Sequence, residues 1–202
     1  MIKALRISKI QPTTICINHS HPVGWQRFMQ LTLVVIKKQM KSSAYLVNRL
    51  REVLTNGKWV TGTNFKEQIL NTDWKDAVKT IDGLNSIAKL TFHIHYYIEG
   101  VTKVLQGGPL EISDKYSFES PLIRSEADWN DLTDKFCKDS EKFISLVEKM
   151  TEDGLLATFV DEKYGDYQRN IDVMIEHTYY HLGQILIIKK LINKRKTTTN
   201  TM

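Results

Sequence analysis

Glu176-His177-Thr178-Tyr179-Tyr180-His181-Leu182-Gly183-Gln184-Ile185 is the stretch that decides how the rest of the chain is read. It lies inside an apolar-periodic run that predicts a helix over about residues 171–192. At about 3.6 residues per turn, positions four apart point the same way, so His177 and His181 stack one turn apart on one face. Ile171, Met174, Ile185, Ile188 and Ile192 fall on or near that face, with Thr178 at its edge. Two imidazoles in a core-facing stripe need partners, because a buried polar group without a hydrogen bond or ligand is costly. A histidine pair of this kind is commonly two ordinary hydrogen-bonded side chains. The sharper alternative is one divalent metal ion serving both, since His at i and i+4 is a zinc-type spacing.

Composition narrows the setting. The 202 residues, 42% hydrophobic and 25% charged, fit one globular domain with its own core and a tail. Two cysteines, Cys16 and Cys137, are too few for a disulfide framework and predict a reducing, cytoplasmic setting. No apolar run approaches the roughly 18 residues of a membrane span; Leu31 to Ile36 is far shorter. The net charge of +5 is unevenly placed: residues 1–39 carry six basic residues and no acidic one. Removing that +6 leaves residues 40–202 at −1, without the basic patch that nucleic-acid binding needs. Lys189, Lys190, Lys194, Arg195 and Lys196 cluster where the last helix is expected to end, and read as a solvated, dipole-complementing terminus with residues 194–202 as a basic and polar tail.

Residues 1–39 lack a clean period and contain Pro12, Pro22 and the pair His19 and His21. They form neither a secretory h-region nor a good amphipathic transit helix. Met40-Lys41-Ser42-Ser43 reads as a natural start, so residues 1–39 are expected to be an extension from a start codon assigned too far upstream, outside a domain over residues 40–193. A first helix is predicted over 43–55, closed by Asn56-Gly57. Residues 58–79 read as a connection with short helical pieces, such as 73–80. A second helix is predicted over 84–105, ended by Gln106-Gly107-Gly108-Pro109. Its stripe of Ile87, Leu90, Ile94, Tyr97, Ile98 and Val101 has His93 beside it. His95 lies about 200° away from His93 and is expected at the surface or rim. A loop with Tyr116 and Phe118 follows, and Ser125-Glu126-Ala127-Asp128 resembles a capping box opening a third helix to about residue 150, with Asp153-Gly154 as the breaker. Residues 155–170 read as a short β-hairpin around Lys163-Tyr164-Gly165-Asp166-Tyr167.

Four amphipathic helices with histidines on the second and fourth describe an all-α, up-down-type four-helix bundle that builds a site from facing helices, with His93 as the third ligand beside His177 and His181. Three segments carry a family likeness: Ser86-Ile87-Ala88-Lys89-Leu90-Thr91-Phe92-His93-Ile94, Ser125-Glu126-Ala127-Asp128-Trp129, and His177-Thr178-Tyr179-Tyr180-His181-Leu182-Gly183-Gln184-Ile185. Over about residues 40–192 the chain resembles the DinB-like (YfiT-like) metalloenzyme superfamily, the last segment being similar to its His-x-x-Tyr-His-x-Gly-Gln-Ile signature. The family's usual Trp before the second-helix motif is replaced by Leu84 and Asn85. The resemblance implies three metal-binding histidines, which fall on His93, His177 and His181.

Characterised members of the superfamily include transferases and isomerases that use low-molecular-weight thiols. The resemblance therefore implies a metal-dependent transferase, with a hydrolase or a non-catalytic, stress-linked metal-binding protein as alternatives. Imidazole suits zinc, nickel and iron alike, so the expected cofactor is a divalent ion among these. Gln184, one turn beyond His181, is the candidate to hydrogen-bond a metal-bound water. Tyr180, near one turn from His177, is a second candidate catalytic residue. The expected partners are a small-molecule substrate, a thiol among them, and a second copy in a homodimer, with no nucleic acid and no membrane. If the reading of residues 1–39 holds, deleting them leaves the Tm in a thermal melt nearly unchanged, and a large drop overturns it.

Overall fold

Three serines and an aspartate mark where the long helices begin. Ser42 accepts from the Tyr45 amide at the head of α1, Ser43–Leu54. Ser86 accepts from the Lys89 amide at the head of α4, Ile87–Leu105, and Ser125 from the Asp128 amide at the head of α5, Glu126–Glu148. Asp166 accepts from the Arg169 amide at 2.7 Å, just before α7, Tyr167–Thr199. Each cap satisfies an amide that has no partner inside its helix. Between α1 and α4 lie two short helices, α2, Phe65–Leu70, and α3, Trp74–Ala77. A further one, α6, Glu152–Leu156, precedes α7. The structure, a computed structural model, describes residues 42–199, within the unit Lys41–Met202. The readings made for residues 1–39, including Cys16, His19, His21 and Leu31 to Ile36, lie outside the described residues, as do residues 200–202.

The described residues are all-α: seven α-helices, two three-ten turns at Asp114–Tyr116 and Glu162–Tyr164, and no strand. α4 packs on α5 and α7, and α1 packs on the same two, so the four long helices close a circuit. Its interior is apolar: Leu46, Leu50, Ile94, Ile98, Phe143 and Ile185 are each 1% exposed or less. Phe65 of α2 stacks on Phe136 of α5 with centroids 4.8 Å apart. The Trp129 indole N–H of α5 donates to the Thr72 carbonyl at 3.0 Å. Lys189 of α7 donates to the carbonyls of Gln68 and Asn71 at 3.0 and 3.3 Å, satisfying groups at the C-terminal end of α2. None of the described helices is long and apolar enough to cross a membrane.

Several expected boundaries move. α7 starts at Tyr167 and runs to Thr199, beyond both ends of the predicted 171–192. The polar residues there have partners: Asn170 donates to the Tyr164 and Asp166 carbonyls at 2.9 and 2.8 Å, and Arg195 and Lys196 reach Asp82 and Asp76 at 2.6 and 2.5 Å. The basic cluster, expected as a solvated end, therefore sits within the helix and partly ties it to residues 76–82. Leu84 and Asn85 lie outside α4, because Ser86 takes the cap and Gly83 turns with φ +78°. The hairpin expected over 155–170 is a single antiparallel bridge between Thr158 and Asp166. α6 occupies residues 152–156, the three-ten turn takes 162–164, and α7 begins at 167, leaving no length for strands.

Phe136 is fully buried against Phe65. Phe136→Ala removes the burial and leaves a cavity, a loss of about 3–5 kcal/mol. The expected outcome is a Tm lower by on the order of 10 °C. Trp59→Ala, at a site 92% exposed, should melt with the parent. Circular-dichroism melts check both.

Candidate metal centre

α4 and α7 bring their histidines together across their shared face. His93 and His181 are both 5% exposed, and His177 is half-buried between them. His177 Nε2 lies 3.1 Å from His93 Nε2 and 2.9 Å from His181 Nε2. The set has one ligand atom per residue, all within 4.8 Å of one another, close enough to hold a metal ion. His93, His177 and His181 are thus the three that converge, as their faces implied.

Proton counting shows what this convergence means. His93 Nδ1 is 3.1 Å from the Ser117 carbonyl oxygen, which can only accept, so Nδ1 carries the proton. His181 Nδ1 is 2.9 Å from Gln184 Oε1, likewise an acceptor, so it too carries its proton there. In the neutral rings both Nε2 atoms are then bare lone pairs. His177 Nε2 has at most one N–H to donate, so at most one of its two short contacts is a hydrogen bond. A cation satisfies all three nitrogens at once. Two imidazoles bound at about 2.0–2.1 Å, separated by about 90–110° at the ion, hold their nitrogens about 2.8–3.4 Å apart, a range that includes both contacts of His177.

Electrostatics favour the ligating form. Burial pushes His93 down to about 4, reinforced by His181. Burial likewise pushes His177 down to about 4, with His181 and His93 adding to it. Burial lowers His181, against the bond to Gln184. Neutral imidazole is the form that binds a metal.

The surround is aromatic. Phe118 stacks on His93 at 3.9 Å, with the planes 12° apart. Tyr97 sets its ring edge-on to His93 and His177 at 5.1 and 5.2 Å. Tyr180, 64% exposed, lies 4.9 Å from the His181 ring. Phe118 and Ser117 belong to a strap, residues 112–118, laid along α4 after the Gly107 turn, φ +85°. The Tyr96 hydroxyl accepts the Ser113 N–H at 2.9 Å and donates to the Ser113 carbonyl at 3.2 Å. The Tyr97 hydroxyl donates to Asp114 Oδ1 at 2.5 Å. Burial and that carboxylate push Tyr97 up to about 12. Gly100 makes the fit possible: a Cβ there would sit 2.1 Å from Ile112 Cγ2.

Two expectations change. Gln184 does not face an open position with its oxygen; it orients His181. His95, expected at the rim, is 7% exposed, with Nε2 2.7 Å from Asp139 Oδ2 on α5. α4 is covered on that side by α5, which the single-helix projection did not include. His95 and Asp139 line a separate groove of about 500 Å³ between the two helices. Ser117, Phe118, Tyr97 and Asp114 were not predicted as site residues. A backbone carbonyl has no sequence signal; Phe118, an aromatic in a loop, was the visible hint.

The chain matches no protein-family model, and no match to it was found among curated proteins or solved structures. The functional reading therefore rests on this geometry and on the motifs.

The lowered histidines give a pH signature in protein kept in chelator. An unfolded histidine takes its proton near 6.5, whereas folded His93 and His177 resist until about 4. The unfolded state thus binds more protons between those values, and stability falls as pH drops from about 6.5 toward 4. Urea midpoints should decline over that window, and the decline should flatten in His93→Gln, His177→Gln, His181→Gln. An undiminished slope in that triple variant assigns the effect to other groups.

Proposed function

We propose that His93, His177 and His181 bind one divalent metal ion, and that the chain is a DinB-like transferase that works with a low-molecular-weight thiol. On this reading the circuit of α1, α4, α5 and α7 is the up-down four-helix bundle of that superfamily. The observation that carries the metal assignment is the convergence of three Nε2 atoms, two of them bare lone pairs whose other ring nitrogen is tied to an acceptor. A carbonyl or amide oxygen behind each imidazole is the usual support of a ligating histidine.

An open, reactive centre is favoured by the ligand count, and the thiol transferase within that class by the family likeness. Among the described residues no carboxylate or thiol joins the three imidazoles as a fourth ligand, whereas a closed structural site uses four. An ion held by three protein ligands keeps a position for a small molecule, and would hold a thiol there as its nucleophilic thiolate. The chain's part is to keep the imidazoles neutral and oriented: Ser117 fixes His93, Gln184 fixes His181, and Phe118 and Tyr97 shield the nitrogens. Tyr180, exposed beside His181, remains the second candidate catalytic side chain of this reading. Zinc, nickel and iron all suit three imidazoles. A cytoplasmic homodimer completes the proposal, resting on the cysteine count and the family likeness.

The test is metal content and thiol consumption in protein purified without a histidine tag. One divalent ion per chain is expected, lost or much weakened in His177→Ala, His181→Ala and His93→Ala, and kept in His95→Ala once circular dichroism shows each folded. Several cellular thiols, each offered with an electrophilic acceptor, are expected to include one consumed only without chelator. Stoichiometric metal with no consumption of any thiol and no hydrolase activity moves the reading to a non-catalytic metal-binding protein. Normal metal content in the His177→Ala, His181→Ala double variant removes the site.

A further inference from the structure

The strap over α4 is anchored asymmetrically. Its bonds to Tyr96 and Tyr97 are exposed, and Lys115 at its crest is exposed as well. Exposed bonds of this kind open locally at little cost. The buried anchor is the one to the site: Ser117 is 1% exposed, its carbonyl accepts from His93 Nδ1, and Phe118 covers the same imidazole. Strap and ligand therefore share one ring.

Resting on the metal reading above, we propose that residues 112–118 form a latch coupled to ion capture: the ion closes the strap, and the closed strap raises affinity for the ion. The coupling has a direct physical source. An ion on His93 Nε2 withdraws charge from the ring and makes Nδ1–H a stronger donor to the Ser117 carbonyl. It also fixes the imidazole plane on which Phe118 stacks. In return, the docked strap holds His93 in the one tautomer and orientation that offers Nε2. The two effects are one free energy seen from two sites, so they are equal in size. Asp114, Gly100 and the Tyr97 hydroxyl are then positioning groups, acting on the ion only through the strap, whereas the Tyr97 ring also packs edge-on to His93 and His177.

Gly100→Ala separates the strap from the helix. A methyl group there occupies the seat of Ile112, while alanine is the better helix former, so α4 itself is not weakened. Tyr97→Phe removes the bond to Asp114 and serves as a second, milder variant. Zn²⁺ affinity is measured by competition with a chromophoric chelator, and the rate of tryptic cleavage at the Lys115–Tyr116 bond by mass spectrometry, with and without Zn²⁺. The full chain is expected to cut at Lys115 at least ten-fold more slowly with Zn²⁺. Gly100→Ala is expected to bind Zn²⁺ about 10–100-fold more weakly, the range for loss of an outer-shell partner, and to lose most of the protection. Tyr97→Phe should fall between. Zn²⁺ bound by the full chain with unchanged cleavage at Lys115, or Gly100→Ala binding as tightly as the parent, overturns the latch and leaves the three-histidine site standing. No Zn²⁺ bound by the full chain overturns both.

Discussion

A neutral imidazole has one proton, and where His93 keeps it sets the character of the site. Because Nδ1–H is committed to the Ser117 carbonyl at 3.1 Å, Nε2 has only a lone pair to present to the interior. Gln184 does the same for His181 from within α7. With His177 between them, the molecule holds a knot of acceptors in a place where burial disfavours protonation of each ring. Such an arrangement is expensive in a core unless a cation completes it.

The fold serves this constraint by making α4 and α7 neighbours with little freedom to slide. α1 packs on α7 and α5, and α5 packs on α4, so a shift of α4 against α7 would disturb packing round the circuit. Polar ties fasten the segment between α1 and α4 to the long helices: Lys189 to the end of α2, Trp129 to Thr72, and Arg195 and Lys196 to Asp82 and Asp76. The surface pairs among these contribute little individually. The strap is different in kind. It reaches α4 through exposed hydroxyl bonds, one close approach at Gly100 and the buried contacts of Ser117 and Phe118 with His93.

His95 illustrates how far a helical projection goes. Its angular distance from His93 was readable from spacing, and the two residues do serve different partners. Its burial was not readable, because a helical wheel distinguishes faces of one helix but not which second helix covers a polar face. Asp139 lies 44 positions away, and only the packing of α5 on α4 brings its carboxylate to 2.7 Å. The hairpin misreading has a similar origin. Alternation over residues 155–170 is compatible with strands, but the Glu152–Leu156 helix and the Asp166 cap claim both ends of the segment.

The amino-acid sequence by itself determined the helical class, the capped start at Ser125, and the face shared by His177 and His181. All of these are local: they follow from periodicity, capping chemistry and the helix repeat. It also singled out His93 as the candidate third member, from its place beside Leu90 and Tyr97 and from the family likeness. The tertiary structure alone decided the His93 tautomer, the stacking of Phe118 and the seating of Ile112 over Gly100. Each depends on a backbone carbonyl, a loop path or a distance between helices. These are properties of the packed chain, to which residue identity and spacing along the sequence give no access.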